Sequence, residues 1–161
     1  MATIESTAII EPGAFIGDDC YIGHYAIIRP SVVIGDYVHI RAHCFIASGA
    51  KIGNHTHVMQ FSNICRGCII EEKVFIGMGC MTTNTRKIAY LRDYEDIEDP
   101  PYIEYGARIG ARVTILPGVR IGRNALIGAG SVVTKSVPAE SIYIGVPARK
   151  IGVVPENEIL S

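Results

Sequence analysis

"FIGDDCYIGHYAIIRPSVVIGDYVHIRAHCFIASGAKIG", from Phe15 to Gly53, decides the fold. An isoleucine stands at 16, 22, 28, 34, 40, 46 and 52, once in every six residues. The beat reaches back through Ile10 to Ile4 and forward through Val58, Ile64 and Ile70 to Ile76. It returns at Ile103 and runs through Ile109, Ile115, Ile121 and Ile127 to Val133. Four residues after each beat comes a small or β-branched residue, beginning Ala8, Ala14, Cys20, Ala26, Val32 and ending at Val137. Eight of the beats are followed directly by glycine, as at Ile16-Gly17. Self-similarity at a fixed period marks a repeat architecture.

A helix cannot carry this pattern. A six-residue step turns a 3.6-residue helix by about 600°, which scatters the isoleucines around the axis. A continuous alternating strand fails too, because bends are needed every few residues. A short strand, a bend and another short strand in each unit does fit. The beat residue and the small residue before the next beat then both point inward, and glycine after the beat suits the bend. Three units close a triangular coil, and stacked coils lie about 4.8 Å apart like any paired strands. The expected fold is all-β: one domain, a parallel β-helix of about six triangular coils over residues 4–87 and 103–137. A loop insertion at 88–102 interrupts it, and a short extension at 138–161 ends it.

The bulk numbers narrow the function classes. The chain has 161 residues and a net charge of −1, enough for one domain. No apolar run approaches the length of a membrane span, and "MATIESTAIIEPG" lacks the basic and apolar regions of a secretory signal. Charges are balanced, with no basic stripe for nucleic acid. Five cysteines without a signal peptide suggest a reducing, cytoplasmic setting.

The register assigns the cysteines. Cys20, Cys44, Cys68 and Cys80 fall in the inward small-residue slot, where cysteine acts as a compact hydrophobe. Cys44 and Cys80 share a face two coils apart, roughly 9–10 Å by the strand spacing, which is beyond disulfide reach. "CRGC" at 65–68 has the spacing of redox and zinc motifs. Cys68 points into the core and Cys65 sits at the bend, so the motif is read as structural.

The repeat resembles the hexapeptide-repeat family, whose fold is the left-handed parallel β-helix. That handedness is implied by the resemblance, since the general crossover preference is right-handed. The tail "GAGSVVTKSVPAESIYIGVPARKIG", residues 128–152, is similar to the end of the acyl-CoA-dependent members, where "GAGSVVTKxVP" and "GxPARxI" recur. The resemblance implies that acetyl-CoA is the co-substrate. Gly128, Ala129 and Gly130 would lie along the pantetheine arm, with Gly110 and Ala111 offering backbone N–H groups to the thioester. Lys135, Arg149 and Lys150 supply cations for phosphates. The bland alternative is that this segment caps the open edge of the coil.

"VFIGMGCMTTNTRK", residues 74–87, resembles the same place in N-acetyltransferases acting on nucleotide-linked amino sugars. There the coil breaks after "FTN" and the asparagine lines the active site; here the match is Thr82-Thr83-Asn84, with threonine replacing the phenylalanine. The sugar O-acetyltransferases place a histidine about three positions further on, where this chain has Lys87. A hydroxyl needs a general base to attack a thioester. An amine with a pKa near 8 is partly unprotonated already, so it needs orientation and an oxyanion stabiliser. Asn84 is therefore the candidate for positioning and His57 for proton removal. Arg86, Lys87 and Arg92 are candidates for an acceptor's diphosphate or carboxylate, although a solvated surface also collects such cations.

Two rival readings come from other classes. The γ-class carbonic anhydrases hold a metal with histidines on this fold, and His39 and His57 lie eighteen residues apart on one outward face. The "HxxxxH" pattern of that family is missing here, so no metal is expected. A non-catalytic scaffold is the other. A homotrimer is implied by the resemblance. Outward apolar ridges agree with it: Ile9, Ile27 and Phe45 on one face, Phe15 and Val33 on another.

Overall fold

The computed structural model describes residues 1–161. Each beat residue closes a two-residue strand, as in Thr3–Ile4, Ile9–Ile10 and Phe15–Ile16. Each strand pairs in parallel with the strand three units on: His57 with His39 and Phe75, Val58 with Ile40 and Ile76. Three sheets result, of nine, seven and six strands, and they form the faces of a triangular prism. The longest face holds eight parallel strands and one antiparallel one, so the helix has about eight turns where the sequence metre suggests six. Met81–Thr82, inside the expected coil, keeps the metre with threonine in the beat slot; the extra level comes from the C-terminal segment. Ser141–Gly145 joins the first face beside Leu126–Ile127, two residues out of metre.

The core is one column along the axis. Ile22, Ile28, Ile34, Ile40, Ile46, Ile64, Ile70 and Ile76 are fully buried, facing Cys20, Ala26, Val32, Val38, Cys44 and Ala50. Each such isoleucine contributes about 1.5–3 kcal/mol of burial. Where the inward slot is polar, the hydroxyl is satisfied: Thr56 Oγ1 donates to Glu71 O at 2.9 Å and Ser62 Oγ to Gly77 O at 3.0 Å. The corners are tighter than a count of glycines suggests. Tyr25, Tyr37, His43, His55 and Phe61 all adopt φ between 57° and 61°, a left-handed conformation that costs about 1–2 kcal/mol per residue. Hydrogen bonds between coils offset the cost, as where Tyr37 N–H donates to Asp18 O at 2.8 Å and His55 N–H to Asp36 O at 2.9 Å. Ring stacking adds to it, Tyr25 on His43 and His43 on Phe61 at 5.0 Å, Tyr37 on His55 at 4.8 Å.

The broken metre is an arm. Ile70 pairs with Ile103, and Ile76 with Ile109, at separations of 33 residues instead of 18, so fifteen residues leave the prism without disturbing its register. The arm starts slightly earlier than the metre implies. Thr85–Lys87 leaves the coil and pairs antiparallel with Ile97–Glu98.

At the C-terminal end, Ser141–Gly145 and Ala148–Val153 form an antiparallel hairpin over the last coil, closing an edge that would otherwise invite pairing. The tail then folds back along the prism. Arg108 Nη1 donates to Glu158 Oε2 at 2.6 Å, and Tyr105 OH to the carbonyl of Ser161 at 2.8 Å.

Candidate functional site

Where the arm leaves the prism, a cleft of about 610 Å³ opens between the arm and the second face. Its base is built by a change of residue type at the beat. Thr82 is buried like an isoleucine, but its Oγ1 accepts the Cys65 N–H at 2.7 Å and donates to Asn63 O at 3.3 Å. Thr83 N–H keeps the coil bond to Ile115 O at 3.0 Å, the last regular one before the exit. Asn84 then turns out of the coil, and its carbonyl accepts Asp99 N–H at 2.6 Å, clamping the two ends of the arm together. Its side chain lines the cleft beside Asn63, Cys65 and Met81. Ile88, Tyr90 and Asp96 face it from the arm.

The arm is braced by its own side chains. Ala89 N–H donates to Asp96 Oδ1 at 2.6 Å, and Tyr94 OH to Ile88 O at 2.9 Å. The three cations nominated for substrate are engaged in that bracing. Arg86 Nε donates to Asp99 at 2.6 Å, Lys87 Nζ lies 3.7 Å from the Tyr94 ring centre, and Arg92 caps the carbonyls of Tyr90 and Leu91. None of the three lines the cleft; the cation that does is Arg66, whose nearest carboxylate is Glu98 at 3.8 Å.

His57 is elsewhere. It sits in the strand His57–Val58 of the first face, stacked on His39 at 4.4 Å, and does not line the cleft that holds Asn84. Desolvation is the main force holding both imidazoles below the ordinary histidine range, and Arg41 adds to it in both; His39 adds to it for His57. The unfolded chain therefore takes up protons before the folded one as pH falls. This contribution to stability is intact above an unfolded pKa of about 6.5 and is lost as pH falls towards the lowered folded values. Thermal melts should show a lower midpoint at pH about 5 than at about 7.5, with a smaller difference in His39→Gln.

The nominated cofactor residues gather on the corner after the first face. Gly110 and Ala111 stack under Gly128, Ala129 and Gly130, and Gly130 N–H donates to Ala111 O at 2.8 Å. The glycines are there for packing as much as for any ligand. A Cβ on Gly110 would come within 2.5 Å of Ala129 N, and one on Gly128 within 3.0 Å of Ile144. Only Gly130, at φ 70°, faces open space. Lys135 is exposed beside the last strand, and Arg149 and Lys150 are exposed on the closing hairpin.

Residues the sequence reading missed are Arg66, Cys65, Asn63 and Met81. The signal was present in the eighteen-residue register: Met81 pairs with Asn63, and Asn84 lies eighteen residues beyond Arg66.

Residues 13–48 and 100–135 match the family model "Bacterial transferase hexapeptide (six repeats)". Over those segments, 72 of the 161 residues, the chain is similar to the hexapeptide-repeat transferases. A galactoside O-acetyltransferase from Lactococcus lactis is 54% identical over 46 residues, covering 29% of this chain and 22% of that one. The chain spans 16–28% of the length of the curated relatives it matches first. A hexapeptide-repeat-containing acetyltransferase from Vibrio cholerae, solved with acetyl-CoA, superposes with a TM-score of 0.62 at 26% identity over 84% of this chain and 71% of that one. An N-acyltransferase from Bacillus cereus, solved with dTDP and coenzyme A, superposes at 0.72 with 21% identity, covering 97% and 84%. At that identity the likeness establishes the fold alone.

Proposed function

We propose that the chain is an acetyl-CoA-dependent N-acetyltransferase whose acceptor is the amine of a small molecule, a nucleotide-linked amino sugar being the first choice. The observation that carries this reading is the cleft at the foot of the arm, lined by Asn84 and by no histidine. A hydroxyl acceptor would need a base within that wall before it could attack; an amine needs positioning, with a histidine such as His57 across a subunit boundary receiving its proton only after attack. Charge supports the same choice. Residues 85–99 carry Arg86, Lys87 and Arg92 against Asp93, Glu95, Asp96, Glu98 and Asp99, so the arm is net acidic and favours an ammonium over a second carboxylate. Acetyl-CoA is assigned to the corner of Gly110, Ala111, Gly128, Ala129 and Gly130, with Lys135, Arg149 and Lys150 as cations for its phosphates. Asn84 orients the acceptor or the thioester carbonyl.

The assembly is proposed to be a homotrimer. Ile9 and Phe15 are 53% and 61% exposed on two faces of the prism, apolar area suited to burial between subunits. His57 and Asn84 stand on different faces, so a site that uses both is shared by two subunits. Calorimetry with acetyl-CoA tests the reading. Saturable binding at one site per chain is expected, weakened by Lys135→Ala and by Arg149→Ala combined with Lys150→Ala. A chain that binds no acetyl-CoA at millimolar concentration is not this enzyme.

A further inference from the structure

The Cys65-Arg66-Gly67-Cys68 turn is where the structure departs most from the register argument. Cys68 N–H donates to Cys65 O at 3.2 Å, and Gly67 takes φ 69°, so the four residues form a tight β-turn. The ends of such a turn lie within about 7 Å between Cα atoms, overlapping the separations that disulfides bridge. Cys68 is fully buried in the inward slot, as expected from the metre. Cys65 is not turned away at the bend. It is 7% exposed in the wall of the cleft, one turn away from the buried Cys68.

We propose that Cys65 and Cys68 form a reversible disulfide in the wall of the cleft, made by exchange with a low-molecular-weight disulfide of the glutathione type. The roles of the two thiols differ. Cys65 opens onto the cleft, and the neighbouring Cys68 thiol holds it below the usual thiol range against desolvation. Cys68 is pushed well above that range by the Cys65 thiol and by burial. Cys65 is therefore the attacking thiolate and Cys68 the resolving thiol. The Cys65 thiolate attacks one sulfur of oxidised glutathione and expels a glutathione thiolate, leaving a mixed disulfide. Cys68 then gives up its proton and attacks the Cys65 sulfur, expelling the second glutathione thiolate. Two protein thiols are oxidised, one glutathione disulfide is reduced, and the two thiol protons end on the two glutathiones. Cys20 and Cys44 donate to backbone carbonyls instead, Cys20 to Gly35 at 3.0 Å and Asp18 at 3.6 Å, Cys44 to Met59 at 3.1 Å and Val58 at 3.8 Å. Burial raises Cys44 to about 11 and Cys80 to about 12, so both stay protonated and slow to react.

The disulfide closes a ring that contains Arg66, the one arginine facing the cleft. It fixes the turn that aims this side chain and removes the thiolate from the wall. Oxidation is thus placed to act on acceptor binding; this last step rests on the acetyltransferase reading, whereas the disulfide does not.

The folded chain is incubated in glutathione redox buffers, quenched with an alkylating agent and mapped by mass spectrometry. The expected product is a peptide joining Cys65 to Cys68, short by two hydrogens, restored by dithiothreitol, with Cys20, Cys44 and Cys80 alkylated only after unfolding. In Cys68→Ala, the mixed disulfide of Cys65 with glutathione should accumulate instead. That variant folds, because alanine fills the same inward slot at Ala50 and Ala26. Failure of the Cys65–Cys68 link to form in a buffer that oxidises the unfolded chain overturns the proposal, as does a stable mixed disulfide on the unsubstituted protein. In the activity assay, the oxidised chain should show an acceptor KM raised at least about fivefold; an unchanged KM removes the effect on the cleft. No transfer in either redox state counts against the enzyme reading and leaves the disulfide result standing.

Discussion

Asn84→Ala should lower kcat for acetyl transfer by about 10²-fold, the usual scale for losing one donor aimed at a developing oxyanion. The fold should not change. What Asn84 contributes to the arm's base is its backbone carbonyl, which accepts Asp99 N–H, and alanine keeps that group. An unaltered melting curve with lost activity separates a role in the reaction from a role in architecture; unaltered activity removes Asn84 from the mechanism. His57→Ala should also lower kcat well over tenfold. The two positions lie on different faces of one chain, so the variants should complement each other. In a trimer with shared sites, co-assembly of equal amounts places an intact Asn84 opposite an intact His57 in about a quarter of interfaces. Activity recovered to about that level would establish sharing between subunits. No recovery in a confirmed mixed oligomer would mean that His57 does not act with Asn84.

The second large effect is on stability. Gly110→Ala drives a Cβ to 2.5 Å from Ala129 N and 2.8 Å from Ile127 O, all backbone of the next coil. No side chain can move aside to relieve this. A cost of about 3 kcal/mol is expected, a fall of roughly 6–12 °C in midpoint for a chain of this size. Gly130→Ala makes a useful contrast. Nothing lies within 4 Å of its Cβ position, and its φ is 70°. Only the left-handed conformation opposes the change, at about 1–2 kcal/mol. If the corner glycines served the ligand alone, Gly110→Ala would melt normally and lose only affinity for acetyl-CoA. The structure predicts loss of the fold's stability first.

Most of the architecture was readable because each structural decision repeats. Ile16, Ile22 and Ile28 meet the same neighbours, so an error at one position is corrected by the next. The fifteen-residue excess was legible for the same reason: a metre that resumes intact requires the insertion to leave and return at one level of the prism. The count of turns was not, because Ser141–Gly145 joins two residues out of metre. It departs from the repeat where the chain starts to do something other than repeat.

The site was legible in part. Asn84 could be placed from its neighbours in sequence, since it ends the last regular unit. Arg66 could not, because its relation to the cleft runs across coils; only the eighteen-residue register links it to Asn84. Arg86, Lys87 and Arg92 show the reverse failing. Proximity in sequence to the break suggested binding, but Asp99 engages Arg86, the Tyr94 ring engages Lys87, and the carbonyls of Tyr90 and Leu91 engage Arg92. Composition cannot distinguish a cation offered to a ligand from one that braces a hairpin. Cys65 and Cys68 belong to the same class of problem, because the metre gives the direction of each side chain and not the separation of two sulfurs across a bend.

The most direct test of the central claim is release of coenzyme A from acetyl-CoA with matched acceptors: a nucleotide-linked amino sugar and the same sugar with a hydroxyl in place of the amine. Turnover with the amine is expected, with an amide as product and at least about a hundredfold lower kcat/KM with the hydroxyl. Equal turnover of the hydroxyl compound, with an ester as product, would contradict the claim.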